Sequence, residues 1–523
     1  MNTLEIQSKP TTRLRRLLNL TMCVLILSGC FLSSCKKNSD SSTENTGTAT
    51  GGTSSILTTA VASGTAEGSS EIGENADDLI ANSTFSNVVS INFGTAVTIT
   101  NPLASAGVTI TQSGQDIVIT SSATGVDFQL SGTTTNGSVK LYSEKKFKVT
   151  LNGVSITNND GPALNIQSSK RSFIEMAAGT TNNLTDGATY ATSTEDQKGT
   201  IFSEGQLIFT GTGALTVKGN YKHAIASDDY IRVVSGEITI SGAVTDGIHT
   251  NDAFIADGGT IKITAGSDGI EVEEGHVIIN DGTLNLTTGD DGIAASYKGT
   301  DAAIVPYVNI NGGTITVKST AGEGIESKGI LTINKGNISL ITYDDALNAG
   351  KAIYINGGNI YCYATNNDAI DSNGTLTVTG GIIVAIGANQ PEASFDCDAH
   401  TFKITGGTLV GIAGATSGPS NTSTVNSVVM GSGSANSIIH IEAADGTEAL
   451  TFLAPKAFST LIFASPKLKS NTTYNIYTGG SVTEGTVFNG LYSSGTYNRG
   501  TKSSTTFTTT KVVTQIGGSI SRG

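Results

Sequence analysis

The sequence predicts an all-β chain, most of it wound as a right-handed parallel β-helix with three short strands per coil. Three observations predict it. A repeat of 22–24 residues runs through the middle of the chain. Each repeat holds three short segments alternating apolar and polar residues, the period of a strand with one face buried. Each also ends in a Gly-rich turn such as Asn311-Gly312-Gly313 or Asn356-Gly357-Gly358, where Gly supplies the positive φ of a tight reversal.

In chain order, the first element is a targeting segment. Arg13, Arg15 and Arg16 precede the apolar run 17–27, the layout of an export signal and too short for a membrane span. Leu27-Ser28-Gly29-Cys30 and Leu32-Ser33-Ser34-Cys35 follow, two lipobox-like tetrapeptides. Residues 1–35 are read as a lipoprotein signal with Cys35 as the lipidation site and Cys30 as the alternative. An ordinary cleaved signal with two chance cysteines is the competing reading. Residues 36–80, rich in Ser, Thr, Gly and Asn without apolar periodicity, are expected to form a flexible tether.

The β-helix is assigned to residues 85–420. Its first strands open at Glu237-Ile238-Thr239-Ile240, Thr260-Ile261-Lys262-Ile263 and Thr283-Leu284-Asn285-Leu286, continuing at Thr314, Asn337, Asn359 and Ile382. A corner and a short second strand follow, with Ile248, Ile270, Ile293, Ile325, Leu347 and Ile370 in one column. Third strands carry apolar pairs such as Val277/Ile279, Leu331/Ile333 and Leu376/Val378. Coils of this kind stack about 4.8 Å apart, like on like, and parallel crossovers are right-handed by strong preference. A propeller needs a period of about 40 residues, which the chain lacks. Residues 421–523 lose the repeat and are expected to form a small β cap or module, since a solenoid must cover its open end.

Composition narrows the function. Among 523 residues there are 64 Gly, 8 Pro and no Trp, and 30 Lys plus Arg stand against 44 Asp plus Glu, a net charge of −14. That balance disfavours nucleic acid and acidic lipid and suits divalent cations. Three of the five cysteines lie in the targeting segment, leaving Cys362 and Cys397, too few for a disulfide framework.

The corner before the second strand repeats a carboxylate: Asp246, Asp268, Asp291, Glu323, Asp345 and Asp368, at intervals of 22, 23, 32, 22 and 23. Three residues on stand His249, Glu271, Ala294, Glu326, Asn348 and Asp371. Carboxylates stacked at coil spacing repel one another, so compensation is expected from a cation, a local Lys, a raised pKa or solvation, and Ca²⁺ takes six to eight oxygens of this kind. Asp268, Glu271, Asp291 and Asp290 form the first expected cluster; Glu323, Glu326 and Asp345 the second; Asp345, Asp368 and Asp371 the third. Simple Asp-Gly turn chemistry is the alternative. His223 and His249 show no clustering in sequence and are not read as transition-metal ligands. Tyr297 and Tyr307, which bound the one insertion, together with Tyr343 and Lys328, are the candidate sugar contacts. Lys328 is also the candidate base for an elimination reaction, though an ordinary surface lysine is the simpler reading. No nucleophilic triad, metalloprotease motif or cofactor fingerprint is present.

The Asp-Gly-Ile-x-x-x-(Asp/Glu) coils, Gly161-Pro162-Ala163-Leu164-Asn165-Ile166 and Gly179-Thr180-Thr181-Asn182-Asn183-Leu184-Thr185-Asp186 carry a resemblance. With the lipoprotein start, they make the chain similar to a bacterial carbohydrate-binding β-helix family of the clostridial cellulose- and pectin-binding type. That family is similar in fold to calcium-dependent β-helix polysaccharide lyases. The resemblance implies Ca²⁺ at the corner carboxylates, an extracellular polysaccharide ligand and no catalysis. The expectation is therefore an exported outer-membrane or cell-surface lipoprotein, monomeric, touching the membrane only through its lipid. A calcium-dependent lyase acting on acidic glycans and a non-catalytic adhesin or spacer are the alternatives.

Overall fold

The computed structural model describes residues 51–521, so the signal segment, Cys30, Cys35 and residues 36–50 lie outside it. The chain is a β-helix of three parallel sheets, with two single-turn 3-10 helices, Ala76–Asp78 and Ile80–Asn82, its only helices among the described residues. Sheet 1 contains Glu237–Ala243, Thr260–Ala265, Thr283–Thr288, Thr314–Ser319, Asn337–Thr342, Asn359–Ala364 and Ile382–Ile386. Sheet 2 stacks thirteen strands, among them Ile248–Thr250, Ile270–Val272, Ile293–Ala295, Ile325–Ser327, Leu347–Ala349 and Ile370–Ser372. Sheet 3 includes Ala253–Ala256, His276–Ile279, Tyr307–Ile310, Ile330–Ile333, Ala352–Ile355 and Thr375–Val378. The architecture fits the right-handed parallel β-helix that the repeat predicts.

Register follows the repeat. Glu237 pairs with Thr260, Thr260 with Thr283, Thr283 with Thr314, and so on through Asn337 and Asn359 to Ile382. Every second side chain therefore points inward, and Ile248, Ile270, Ile293, Ile325, Leu347 and Ile370 form one fully buried column. Each such side chain contributes about 1.5–3 kcal/mol when removed from water. Gly313 at φ +81° and Gly358 at φ +91° make the turn from sheet 3 back to sheet 1, a backbone conformation that a Cβ strains.

Both ends of the core are closed. At the first coil, Val108–Ser113 folds back antiparallel on Asp116–Ser121. At the last, Thr460–Ala464 pairs antiparallel with Thr408–Ala413 and with Ser427–Met430. A six-stranded sheet including Ile438–Ala443, Glu448–Leu453 and Thr473–Thr478 follows. Its core contains Phe452, Leu450 and Ile476 together with Val384, Ile386, Val410 and Ile412 from the outer face of sheet 1. The expected C-terminal β module is thus packed against the side of the solenoid as well as over its end.

The described part of the expected tether is ordered, and this corrects the sequence reading for residues 51–80. Thr53–Ile56 pairs antiparallel with Gly495–Asn498. The chain then runs back along sheet 3 as a strap. Asn280, Asn311, Asn334 and Asn356 stack as an amide ladder, linked at 2.9, 2.8 and 2.8 Å. Their side chains donate to the strap carbonyls of Ile72, Glu71, Ser69 and Glu67 at 2.7–2.9 Å. Asn356 Oδ1 also accepts the Glu67 N–H at 3.0 Å. The strap ends in a buried ion pair, where Asp78 takes Arg171 Nε at 2.8 Å and Arg232 Nη1 at 3.3 Å. Apolar periodicity is missing from this segment because its backbone, not its side chains, is what the ladder holds.

Candidate functional site

The corner between sheets 1 and 2 carries the acidic column. Its side chains do a structural job that turn chemistry alone does not describe: each caps the next coil. Asp246 Oδ1 accepts the Asp268 N–H at 3.2 Å, Asp268 Oδ1 that of Asp291 at 2.8 Å, and Asp291 Oδ1 that of Glu323 at 2.7 Å. Asp345 Oδ1 accepts the Asp368 N–H at 2.9 Å, and Asp368 caps Ala393 in the same way. Among the described residues no such bond joins Glu323 to the Asp345 N–H; Glu323 has the longer side chain, and the series breaks there.

In Asp268, Asp291 and Asp368 one oxygen is therefore committed to the backbone; in Asp345 the second oxygen also accepts from Asn348 at 2.9 Å, and in Asp246 it faces the histidines. Asp268, Asp291, Asp345 and Asp368 are all buried. Burial, with the charge of Asp246 beside it, pushes Asp268 up to about 7. Burial, with Asp371 and Asp368 adding to it, pushes Asp345 up to about 8, against the Asn348 bond that lowers it. Asp368 and Asp371 each rise to about 7, through burial and then the negative charge of Asp396. Burial and Glu323 raise Asp291 as well. Such shifts mark carboxylates short of positive neighbours.

The geometry regroups the expected clusters. Asp268, Asp290 and Asp291 offer oxygens within 4.8 Å of one another, and so do Asp246, Asp268 and Glu271. These bring the first expected cluster together. Glu323, Glu326 and Asp345 do not converge in this way; Glu326 is instead ion-paired with Lys328. The third cluster closes around Asp368, Asp371 and Asp396, with Asp345 held to Asp371 through Asn348, whose amide lies 2.9 and 3.4 Å from them. Lys298 lies 2.7 Å from Glu273 and 3.6 Å from Glu271.

At its first coil the column is not acidic. His223 stacks on His249 with ring centroids 4.1 Å apart, and both Nδ1 atoms lie against Asp246 Oδ2, at 2.9 and 3.1 Å. The sequence reading that these histidines do not cluster is thereby corrected. Aligning Ile225 with Ile248, as the register does, puts His223 in the column position of Asp246. Extending the second column one coil further brings in Asp396, paired with Asp371. Both residues were one coil beyond the stretch in which the pattern is obvious.

The sugar candidates separate. Tyr343 is 48% exposed beside Asp344 and Asp345, and neighbouring Ile341 is 42% exposed. Lys328 lies at the same corner, on Glu326. Tyr297 holds the insertion, its hydroxyl accepting the Asp301 N–H at 3.3 Å. Tyr307 faces elsewhere: it stacks on His276 at 4.6 Å and donates to Glu71 of the strap at 3.1 Å.

A family model described as carbohydrate-binding domain-containing protein matches residues 113–393 and 309–484. The chain belongs to this carbohydrate-binding family. A carbohydrate-binding domain-containing protein of Acetivibrio thermocellus is 32% identical over 117 residues, which span 21% of this chain and 41% of the relative. A solved structure described as the polysaccharide lyase-like protein from C. thermocellum, gadolinium derivative, is 29% identical. That comparison covers 47% of this chain and 96% of the other, with a TM-score of 0.41. In this member of the family both matched stretches include the acidic corner from Glu323 to Asp371.

Proposed function

We propose that the protein is an exported lipoprotein that binds extracellular polysaccharide of cellulose or pectin type, with Ca²⁺ completing its acidic corner. The observation that carries the calcium reading is the set of corner carboxylates Asp268, Asp345 and Asp368 and their neighbour Asp371, with pKa values pushed up to about 7 and 8. Asp268 and Asp368 each cap the next coil through one oxygen and can offer the other, and a divalent cation takes such oxygens at about 2.3–2.6 Å. Asp268, Asp290 and Asp291 would hold one ion; Asp368, Asp371 and Asp396 another. A bound ion also presents open positions to carboxylate or hydroxyl oxygens of a glycan, and exposed Tyr343 and Ile341 lie next to that edge.

Family membership supports glycan binding, and the chemistry of Lys328 favours binding over elimination. Burial lowers the Lys328 pKa, but the bond and charge of Glu326 outweigh it and the net shift is upward. A proton held that tightly makes a poor general base.

The test is retention on insoluble cellulose and on pectic polymer, with Ca²⁺ and with chelator. Retention that falls on chelation supports the proposal. Absence of retention on any glycan in either condition overturns it and leaves the adhesin or spacer reading. Unsaturated-uronide absorbance from a pectic substrate would establish the lyase instead. Cys35→Ser is expected to release the protein from the membrane fraction; release by Cys30→Ser alone would move the anchor.

A further inference from the structure

The donor set changes at the start of the acidic column. Beyond Asp246 the corner offers oxygen; around Asp246 it offers imidazole nitrogen too. His223 Nδ1 and His249 Nδ1 converge on Asp246 Oδ2, and His249 Nδ1 also lies 3.1 Å from Glu271 Oε2. His223 and Asp246 are each 3% exposed and His249 is 5% exposed, whereas Glu271 is only half-buried and leaves a way in. The sets His223, Asp246, His249 and Asp246, Asp268, Glu271 each bring their ligand atoms within 4.8 Å.

Separations of 2.9–3.1 Å are hydrogen-bond lengths, and they are also close to the edge of a small coordination polyhedron. Tetrahedral zinc with bonds of about 2.0–2.1 Å sets its ligand atoms about 3.3 Å apart. Calcium takes oxygen, while imidazole with carboxylate suits zinc, copper and nickel. Two neutral imidazoles and two carboxylates balance a dication without residual charge.

We propose that His223, Asp246, His249 and Glu271 form a binding site for a transition-metal dication of the zinc type, separate in chemistry from the oxygen-only positions further along the column. Binding needs the ring protons off Nδ1, each ring turning so that its freed lone pair meets the ion. In His249 the proton then sits on Nε2, which lies 3.7 Å from Glu273 Oε2. The turn of the ring that brings Nδ1 to the ion would have to close that gap to give a carboxylate–histidine–metal arrangement, in which the outer carboxylate orients the ring and raises its basicity. In His223, Nε2 is buried without a partner among the described residues. In the metal-free protein Nδ1 donates to Asp246, so binding moves the proton to this unpartnered Nε2 and frees Nδ1 for the ion. This inference does not depend on glycan binding.

The test titrates chelator-treated, dialysed protein with Zn²⁺ alone and, separately, with Ca²⁺ alone, following heat. Wild type is expected to take one equivalent of Zn²⁺ that His223→Gln and His249→Gln each weaken by at least about tenfold, with the Ca²⁺ titration unchanged. Equal Zn²⁺ affinity in wild type and both variants overturns the site, as does no Zn²⁺ binding to wild type. Should either variant fail to fold, Cu²⁺ in the wild-type protein decides. Nitrogen hyperfine structure from two imidazoles in its paramagnetic resonance spectrum supports the site; an oxygen-only spectrum sinks it.

Discussion

Asp268 Oδ1 accepts the backbone N–H of Asp291 at 2.8 Å, so one carboxylate both carries charge at the corner and ties a coil to the next. The two roles separate by substitution. Asp268→Ala strips the acceptor from a buried N–H and is expected to cost about 1–3 kcal/mol in denaturant unfolding. Asp268→Asn keeps an oxygen there and removes the charge. In chelator it is expected to be at least as stable as wild type, while binding Ca²⁺ more weakly by calorimetry. A loss of stability in Asn as large as in Ala would mean that charge, not capping, matters at this position.

The raised carboxylates give the metal-free protein a definite pH response. Asp268, Asp368 and Asp371 titrate at about 7 and Asp345 at about 8 when folded, against about 3.9 in an unfolded chain. Between those values the folded state holds more protons, so its stability is fully present below about pH 4 and is lost as pH rises through about 7–8. In chelator the melting temperature contributed by these groups is expected to fall from about pH 5 to about pH 8.5, and saturating Ca²⁺ is expected to flatten the slope. A flat profile without metal would show that solvent already compensates the column.

One buried charge adds to the asparagine ladder in docking the strap. Asp78→Ala takes from Arg171 and Arg232 the carboxylate they share, while Arg232 keeps Asp257 at 2.6 Å, so the cost is expected to fall below the about 3–5 kcal/mol of a buried pair broken outright. Because the strap is one edge of the molecule, the expected result is local release. Proteolysis within residues 57–75 should accelerate well before the coils unfold, and an unchanged cleavage rate would show that the asparagine ladder alone holds the strap.

Tyr343 and Tyr307 are expected to differ. Tyr343→Ala removes an exposed ring beside the acidic corner and should lower glycan retention severalfold with no change in melting temperature. Tyr307→Phe removes the hydrogen bond to Glu71 of the strap and should leave retention unchanged. The opposite pattern would move the sugar face to sheet 3.

The sequence shows the coils well because the repeat is written in side chains that all face one interior. Ile248, Ile270 and Ile293 are in register in the structure as they are in the repeat. Carboxylates in the same column were legible for the same reason. Their capping of the next coil was not, since a backbone N–H leaves no mark on residue choice beyond a preference for Asp. His223 was passed over because its column neighbours are acids. The strap was read as a tether because polar residues joined through their carbonyls look the same in sequence as polar residues joined to nothing. Lys328 shows the limit of position alone: only its contact with Glu326 distinguishes a neutralised charge from an available base.

The pairing of Thr53–Ile56 with Gly495–Asn498 sets an order of events. These first residues of the strap are made before any coil, yet their partner strand is made after nearly all of them. The strap's remaining contacts run back over coils that must already be stacked in register, since the asparagine ladder exists only when Asn280, Asn311, Asn334 and Asn356 align. A coil slipped by one repeat would leave a rung of that ladder without its carbonyl. Closure of the strap thus depends on coils wound to the correct length, and an early segment of the chain finds its full set of partners only once the later ones are in place.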